Sequence, residues 1–267
     1  MGELVRANVM ANLAFYRRSR LLLAFLLVFL LITGLSSLPP LFMHSGVQTF
    51  NALQGVFSEL NEFLFFLAAG LGLFIISAHL RSRNLKMVFT RPCPPAVWLA
   101  SAFLSAVLVS LLLTGIVLIS ALALSLIWQV PIRAGLIFVS ADTFISSLSV
   151  IAYLMLLSMV LHPAVAATLA AIFSADVFYS MQIWTLSAIR SGKSNKALYV
   201  LDRLFHSLYM ILPMFHPYAK QTREVYSSLR VAHGEWKYLA FGLGYAVSLS
   251  LFCYLLALIA LERHKHI

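Results

Sequence analysis

VWLASAFLSAVLVSLLLTGIVLISALALSLIW, residues 97–128, runs for 32 positions without one Asp, Glu, Lys or Arg. A soluble domain of average composition carries a charged residue at about every fourth position. Such a run leaves no side for water, and as a helix it exceeds the roughly 20 residues that cross a bilayer core. It must tilt or protrude. Working outward, similar runs occupy 21–38, 61–80, 134–161, 163–188 and 238–261, with Glu62, Asp142 and Asp176 as the acids inside them. The expected fold is therefore an all-α integral membrane protein with six transmembrane helices, forming one membrane domain over 21–261 with no internal repeat. Residues 18–37 also carry a signal-peptide pattern, a basic start, an apolar stretch and small residues after it.

The whole chain agrees with its runs. Of 267 residues 61% are hydrophobic and 10% charged, and the mean hydropathy is +0.93. Nineteen Lys and Arg and nine Asp and Glu are too few to coat a soluble domain of this size. The net charge of +10 resides in the segments between apolar runs, which points to a membrane surface and away from nucleic acid. Cys93 and Cys253 form neither a disulfide framework nor a metal spacing.

Charge also orients the chain. Arg6, Arg17, Arg18 and Arg20 precede the first run, the segment 39–60 has no basic residue, and Arg81, Arg83, Lys86 and Arg91 follow the second run. By the positive-inside rule the N-terminus and the loop 81–96 face the cytoplasm, and an even number of spans returns the tail 262–267 there too. That makes a multi-pass protein of the cell's inner (plasma) membrane. Residues 1–20 place Val5, Val9, Leu13 and Tyr16 on one arc beside Arg6 and Arg17, as expected of an interfacial amphipathic helix or, failing that, a short solvated tail. The external loop 189–237 is itself helical by periodicity: Leu201, Leu204, Phe205, Leu208, Ile211 and Leu212 share a face that Pro213 closes. Too short to span, this segment should lie at the outer interface or dip between helices as an external gate, with Leu204, Leu208 and Pro213 as its residues.

Motifs for chemistry are scarce. Gly192-Lys193-Ser194 echoes a phosphate-binding loop, but Ser187 stands where the first glycine belongs and no strand precedes it. Asp142 and Asp176, on successive runs, raise intramembrane proteolysis, yet Ser140-Ala141-Asp142-Thr143 and Ser174-Ala175-Asp176-Val177 lack a Gly-Asp signature. No HExxH or GxSxG occurs. No catalytic residue, metal ligand or bound cofactor is expected. An ionisable group inside a span costs roughly 2.5–3.5 kcal/mol and is seldom left facing lipid. Asp142, Asp176 and Tyr179 are accordingly candidates for a translocation path; the other reading is a carboxyl packed and hydrogen-bonded within the bundle. Ser140, Ser146, Ser147, Ser149 and Ser158 read as helix-packing residues, and His264 and His266 as a solvated tail.

Residues 79–103 read HLRSRNLKMVFTRPCPPAVWLASAF. A span ends, Leu85 and Phe89 fall at i, i+4 in a basic segment, Arg91-Pro92 breaks it, and a new span starts near Val97. This elbow resembles the cytoplasmic coupling segment of ABC type-2 permeases. Leu208-Tyr209-Met210-Ile211-Leu212-Pro213 is similar to the leucine-proline phrase that some of these permeases carry before their last helix. The resemblance implies a permease subunit of an exporter, paired with a second copy or a related permease in the lipid bilayer. ATP and Mg would be bound by a separate ABC ATPase subunit that docks on Leu85, Lys86, Phe89, Arg91 and Pro92. The alternative is a non-transporting membrane scaffold or assembly factor.

Overall fold

The computed structural model describes residues 2–18, 27–29, 31, 33–35, 46–80, 94–191 and 196–264. Nine helices organise them: α1 Gly2–Arg18, α2 Gly46–Leu80, α3 Pro95–Ile127, α4 Gly135–Val160, α5 Pro163–Ile172, α6 Ala175–Arg190, α7 Lys196–Ile211, α8 Ala219–Ser228 and α9 Trp236–His264. No strand occurs among the described residues. Five segments are long and apolar enough to cross a membrane: Gln48–Phe74, Pro95–Ile127, Gly135–Val160, Pro163–Arg190 and Trp236–Arg263. The predicted first span lies largely outside the described residues, as do Leu85, Lys86, Phe89, Arg91, Pro92 and Cys93 of the elbow, Gly192 to Ser194, and His266. Within that first span, Thr33 Oγ1 donates to the carbonyl of Phe29 at 2.8 Å, and Phe29 packs against the Leu60, Leu64 and Val117 cluster.

α4 is the axis of the bundle, with α2, α3 and α9 packed around it. Its Ser146, Ser147 and Ser149 are buried, and Ser147 Oγ donates back to the Thr143 carbonyl at 2.7 Å. Small side chains allow helices to approach closely, although the buried Ser146 hydroxyl has no hydrogen-bond partner among the described residues. α9 turns a stripe of Ala246, Ser250, Cys253, Ala257 and Leu261 inward. On α2, Gly72 faces Ile151 so closely that an added Cβ would come within 3.1 Å of its backbone. α1 lies along α3, with Val9 and Tyr16 buried and Asn12 Nδ2 donating to Ser105 Oγ at 3.3 Å, so the predicted arc is the packed face. Leu4, Met10 and Phe15 remain exposed on its other side.

Two features differ from the sequence expectation. α2 begins at Gly46, inside the predicted loop 39–60. Leu53, Val56, Phe57, Leu60, Leu64 and Leu67 carry one apolar face through this region, while Glu59 and Glu62 lie on the exposed face. The predicted run, which already contains Glu62, starts at 61, just after Glu59; the helix continues back to Gly46. The predicted span 163–188 is interrupted: α5 stops after Ile172, Phe173 and Ser174 leave helical geometry with ψ of 46° and 144°, and α6 starts at Ala175. Neither residue is Gly or Pro; the local signal is Ser174 at the N-cap position with Asp176 in the first turn. A long-range contact accompanies it: Ala175 N–H donates to the Pro213 carbonyl at 3.1 Å, which caps the new helix in place of the preceding turn.

From the break, α6 and α7 run as an antiparallel hairpin. Phe178 meets Phe205 at 6.1 Å and Tyr179 meets Tyr209 at 5.3 Å between ring centroids. Thr185 Oγ1 donates to Asp202 Oδ1 at 3.3 Å. α7 buries none of its residues.

Candidate functional site

The segment 213–218 carries non-helical backbone into the middle of the bundle, where each polar group needs a protein partner. Met214 N–H donates to Tyr245 Oη at 2.8 Å and Phe215 N–H to Asp176 Oδ2 at 3.2 Å. Phe215 is buried against Val150, Leu154 and Ala170. Asp176 thus sits in the first turn of α6, where a carboxylate also complements the helix dipole. His216 Nδ1 lies 3.7 Å from the same Asp176 oxygen, and its ring is 5.1 Å from that of Phe65.

α8 then leads away from the break and docks on the start of α4. Thr222, Val225 and Leu229 are its buried face. It ends at Leu229, in left-handed geometry with φ of 52°, whose carbonyl accepts from Gly135 N–H at 3.0 Å. A Cβ on Gly135 would stand 2.3 Å from that oxygen, so the contact requires glycine. Arg133 adds a hydrogen bond from its guanidinium to the Ser228 carbonyl and lies 3.9 Å above the Phe50 ring. This docking aims Tyr226 Oη at Asp142 Oδ2, to which it donates at 2.7 Å. Gln54 Nε2 holds the Tyr226 carbonyl at 3.0 Å.

Between α2, α4 and the 216–226 segment lies a cavity of about 390 Å³ lined by Ser58, Asn61, Glu62, Phe65, Asp142 and Arg223, among others. That volume falls in the range of small-molecule sites. Asp142 is 8% exposed and Asn61 5% exposed, while Glu62 and Arg223 lie at the open side. Asn61 Nδ2 donates to the Phe57 carbonyl at 2.7 Å, but its Oδ1 is buried with no hydrogen-bond partner among the described residues. Burial pulls the His216 pKa down, yet the neighbouring Asp176 carboxyl and the charge of Asp142 outweigh that and raise it above the usual 6.5. Burial, then the Asp142 charge, push the Tyr226 hydroxyl well above 10, which keeps it a donor. No group of three or more His, Cys, Asp or Glu is placed to hold a metal ion among the described residues.

The candidates from sequence separate here. Asp142 lines the cavity; Asp176 stands behind His216; Tyr179 stacks within the hairpin and does not reach the cavity wall. Leu204 is 48% exposed and Leu208 half-buried on α7, whereas Pro213 lies at the helix break. Asn61, His216, Arg223 and Tyr226 carried no motif. Glu62, the lone acid of its predicted span, was the signal nearest to them.

Comparison with family models, with curated proteins and with solved structures gives no match.

Proposed function

We propose that the chain is the transmembrane permease subunit of a type-2 ABC exporter, moving its substrate with ATP hydrolysed by a separate subunit. The observation that carries the transport part is the cavity: carboxyl, imidazole, phenol and guanidinium groups gather between helices otherwise apolar enough to span a bilayer. Polar groups at membrane depth are costly, and a water-filled path or site is their usual occupation. The ABC part rests on the elbow at 81–96 and the phrase before Pro213. In this reading residues 21–38 form the first of six spans, α1 lies in the cytoplasmic interface of the plasma membrane, and both termini are cytoplasmic. Two permease copies pair above two ATPase subunits, with Leu85, Lys86, Phe89, Arg91 and Pro92 as the docking surface. ATP binding then shifts the spans between inward-facing and outward-facing packings through that elbow. Purification of the tagged chain from its native membrane tests the assignment. A soluble P-loop protein in stoichiometric amount is the expected companion, and its absence favours a scaffold.

A second reading has one observation in its favour. The break at Phe173–Ser174, with Asp176 at the start of the new helix and His216 beside it, is the kind of discontinuity at which ion-coupled carriers bind substrate. Uptake into proteoliposomes driven by a pH gradient, with no nucleotide present, would identify that class.

A further inference from the structure

We propose that the cavity between α2, α4 and the 216–226 segment binds an organic ammonium ion, a primary or secondary amine on an apolar body. This deepens the transport reading by naming a substrate class for the same site.

The cavity has a surplus of acceptors. Asn61 Oδ1 is buried without a donor, Asp142 receives one hydrogen bond on Oδ2, and Glu62 has no ion-pair partner within 4 Å among the described residues. A buried amide oxygen left unsatisfied is costly, and an N–H donor from a ligand would recover that cost. On the charge side, the carboxyls of Glu62 and Asp142 face one guanidinium, that of Arg223, which lies exposed at the open side. The imidazole of His216 is already engaged by Asp176, which is not part of the wall. One positive charge brought in by a ligand completes that balance. An ammonium there would also favour the charged form of the buried Asp142 carboxyl. Of the rest of the wall, Ser58 and Thr143 carry hydroxyls, while Phe65 and Phe66 offer ring faces to an ammonium or to the body behind it, and Phe66 is 71% exposed. An anionic ligand would meet the two carboxyls and leave Asn61 Oδ1 without a donor. A neutral hydrocarbon would satisfy neither.

The full-length chain, purified in a neutral detergent, is titrated with the fluorescent primary amine N-(5-aminopentyl)dansylamide. Its N-acetylated derivative, which has lost the charge and keeps the body, measures partition into the micelle. Saturable binding of the amine alone is expected. Asp142→Asn, which keeps an acceptor for Tyr226, and Asn61→Leu should each weaken it tenfold or more; Glu62→Gln, at an exposed position, should weaken it severalfold. Only variants that remain monodisperse and melt like the parent are read, and Glu62→Gln keeps the test available if the two buried variants misfold. Equal binding of the acetylated derivative, absence of saturable binding, or unchanged affinity in the well-folded variants would overturn the proposal. No ATPase is needed in this assay. Amine binding without a co-purifying P-loop protein would retain the site and reject the exporter; co-purification without amine binding would do the reverse.

Discussion

Tyr226 Oη donates to Asp142 Oδ2 across 2.7 Å, and this one hydrogen bond joins a ten-residue helix to a buried carboxyl near the start of α4. Because 84 residues separate the partners, neither segment places its side chain alone. Asp142 meets the phenol only because α8 is docked at the first turn of α4.

Tyr226→Phe should therefore lower stability by about 1–3 kcal/mol, the usual cost of removing a partner from a buried polar group. Thermal unfolding in detergent, compared with the surface change Ser227→Ala, measures it. An unchanged melting temperature would mean that the carboxyl finds another donor.

At the far end of α8, Gly135→Ala puts a methyl group 2.3 Å from the Leu229 carbonyl oxygen, where there is backbone on both sides and no flexible side chain to yield. Overpacking of this sort costs typically 1–3 kcal/mol. The expected sign is faster proteolysis within 219–235 with the rest of the bundle still protected. Gly55→Ala, with open space around its Cβ, should have no such effect.

His216 predicts a pH dependence. Its folded pKa is raised above 6.5, so its pairing with Asp176 stabilises the fold fully below about pH 6.5, and that contribution is lost as pH rises through the folded value. The groups around it are Phe65 and Glu62 on α2, Asp142 on α4, Asp176 on α6, and Arg223 and Tyr226 on α8. Melting temperature followed from about pH 5.5 to 8.5 should fall for the parent and be flatter for His216→Gln. Parallel curves would assign the dependence to another group.

If the chain is the proposed exporter subunit, the substitution Phe89→Asp together with Arg91→Glu should abolish substrate-stimulated ATP hydrolysis by the assembly while membrane insertion is retained. Hydrolysis at the parent rate would remove this segment from the ATPase interface.

Much of this architecture is legible in the chain because lipid imposes a simple rule, long apolar helices, on the sequence that contacts it. The runs at 97–128, 134–161 and 238–261 match α3, α4 and α9 to within a few residues. The arc of Val5, Val9, Leu13 and Tyr16 foretells the packed side of α1. Periodicity also finds α7, but as helix only: Leu201, Leu204 and Ile211 remain 39%, 48% and 80% exposed, so its apolar face is not explained by burial in this chain. The misses share one cause. Glu59 and Glu62 interrupt the composition of α2 without interrupting its helix, and the break before Asp176 is capped by the carbonyl of Pro213, some forty positions away. The cavity draws Asn61, Asp142 and Tyr226 from three remote segments. A lone carboxyl in an apolar run announces that something polar lies opposite it, but not which residue.

The interruption at Phe173–Ser174 has a mechanical consequence. Pro213 and Phe215 both clasp the first turn of α6, and the next residue in the chain, His216, is already part of the cavity wall. No slack separates the clasp from the wall. Tilting the α6–α7 pair must therefore displace the imidazole, and any occupant that holds the imidazole still must resist the tilt, so the two positions share one free energy and each reports on the other.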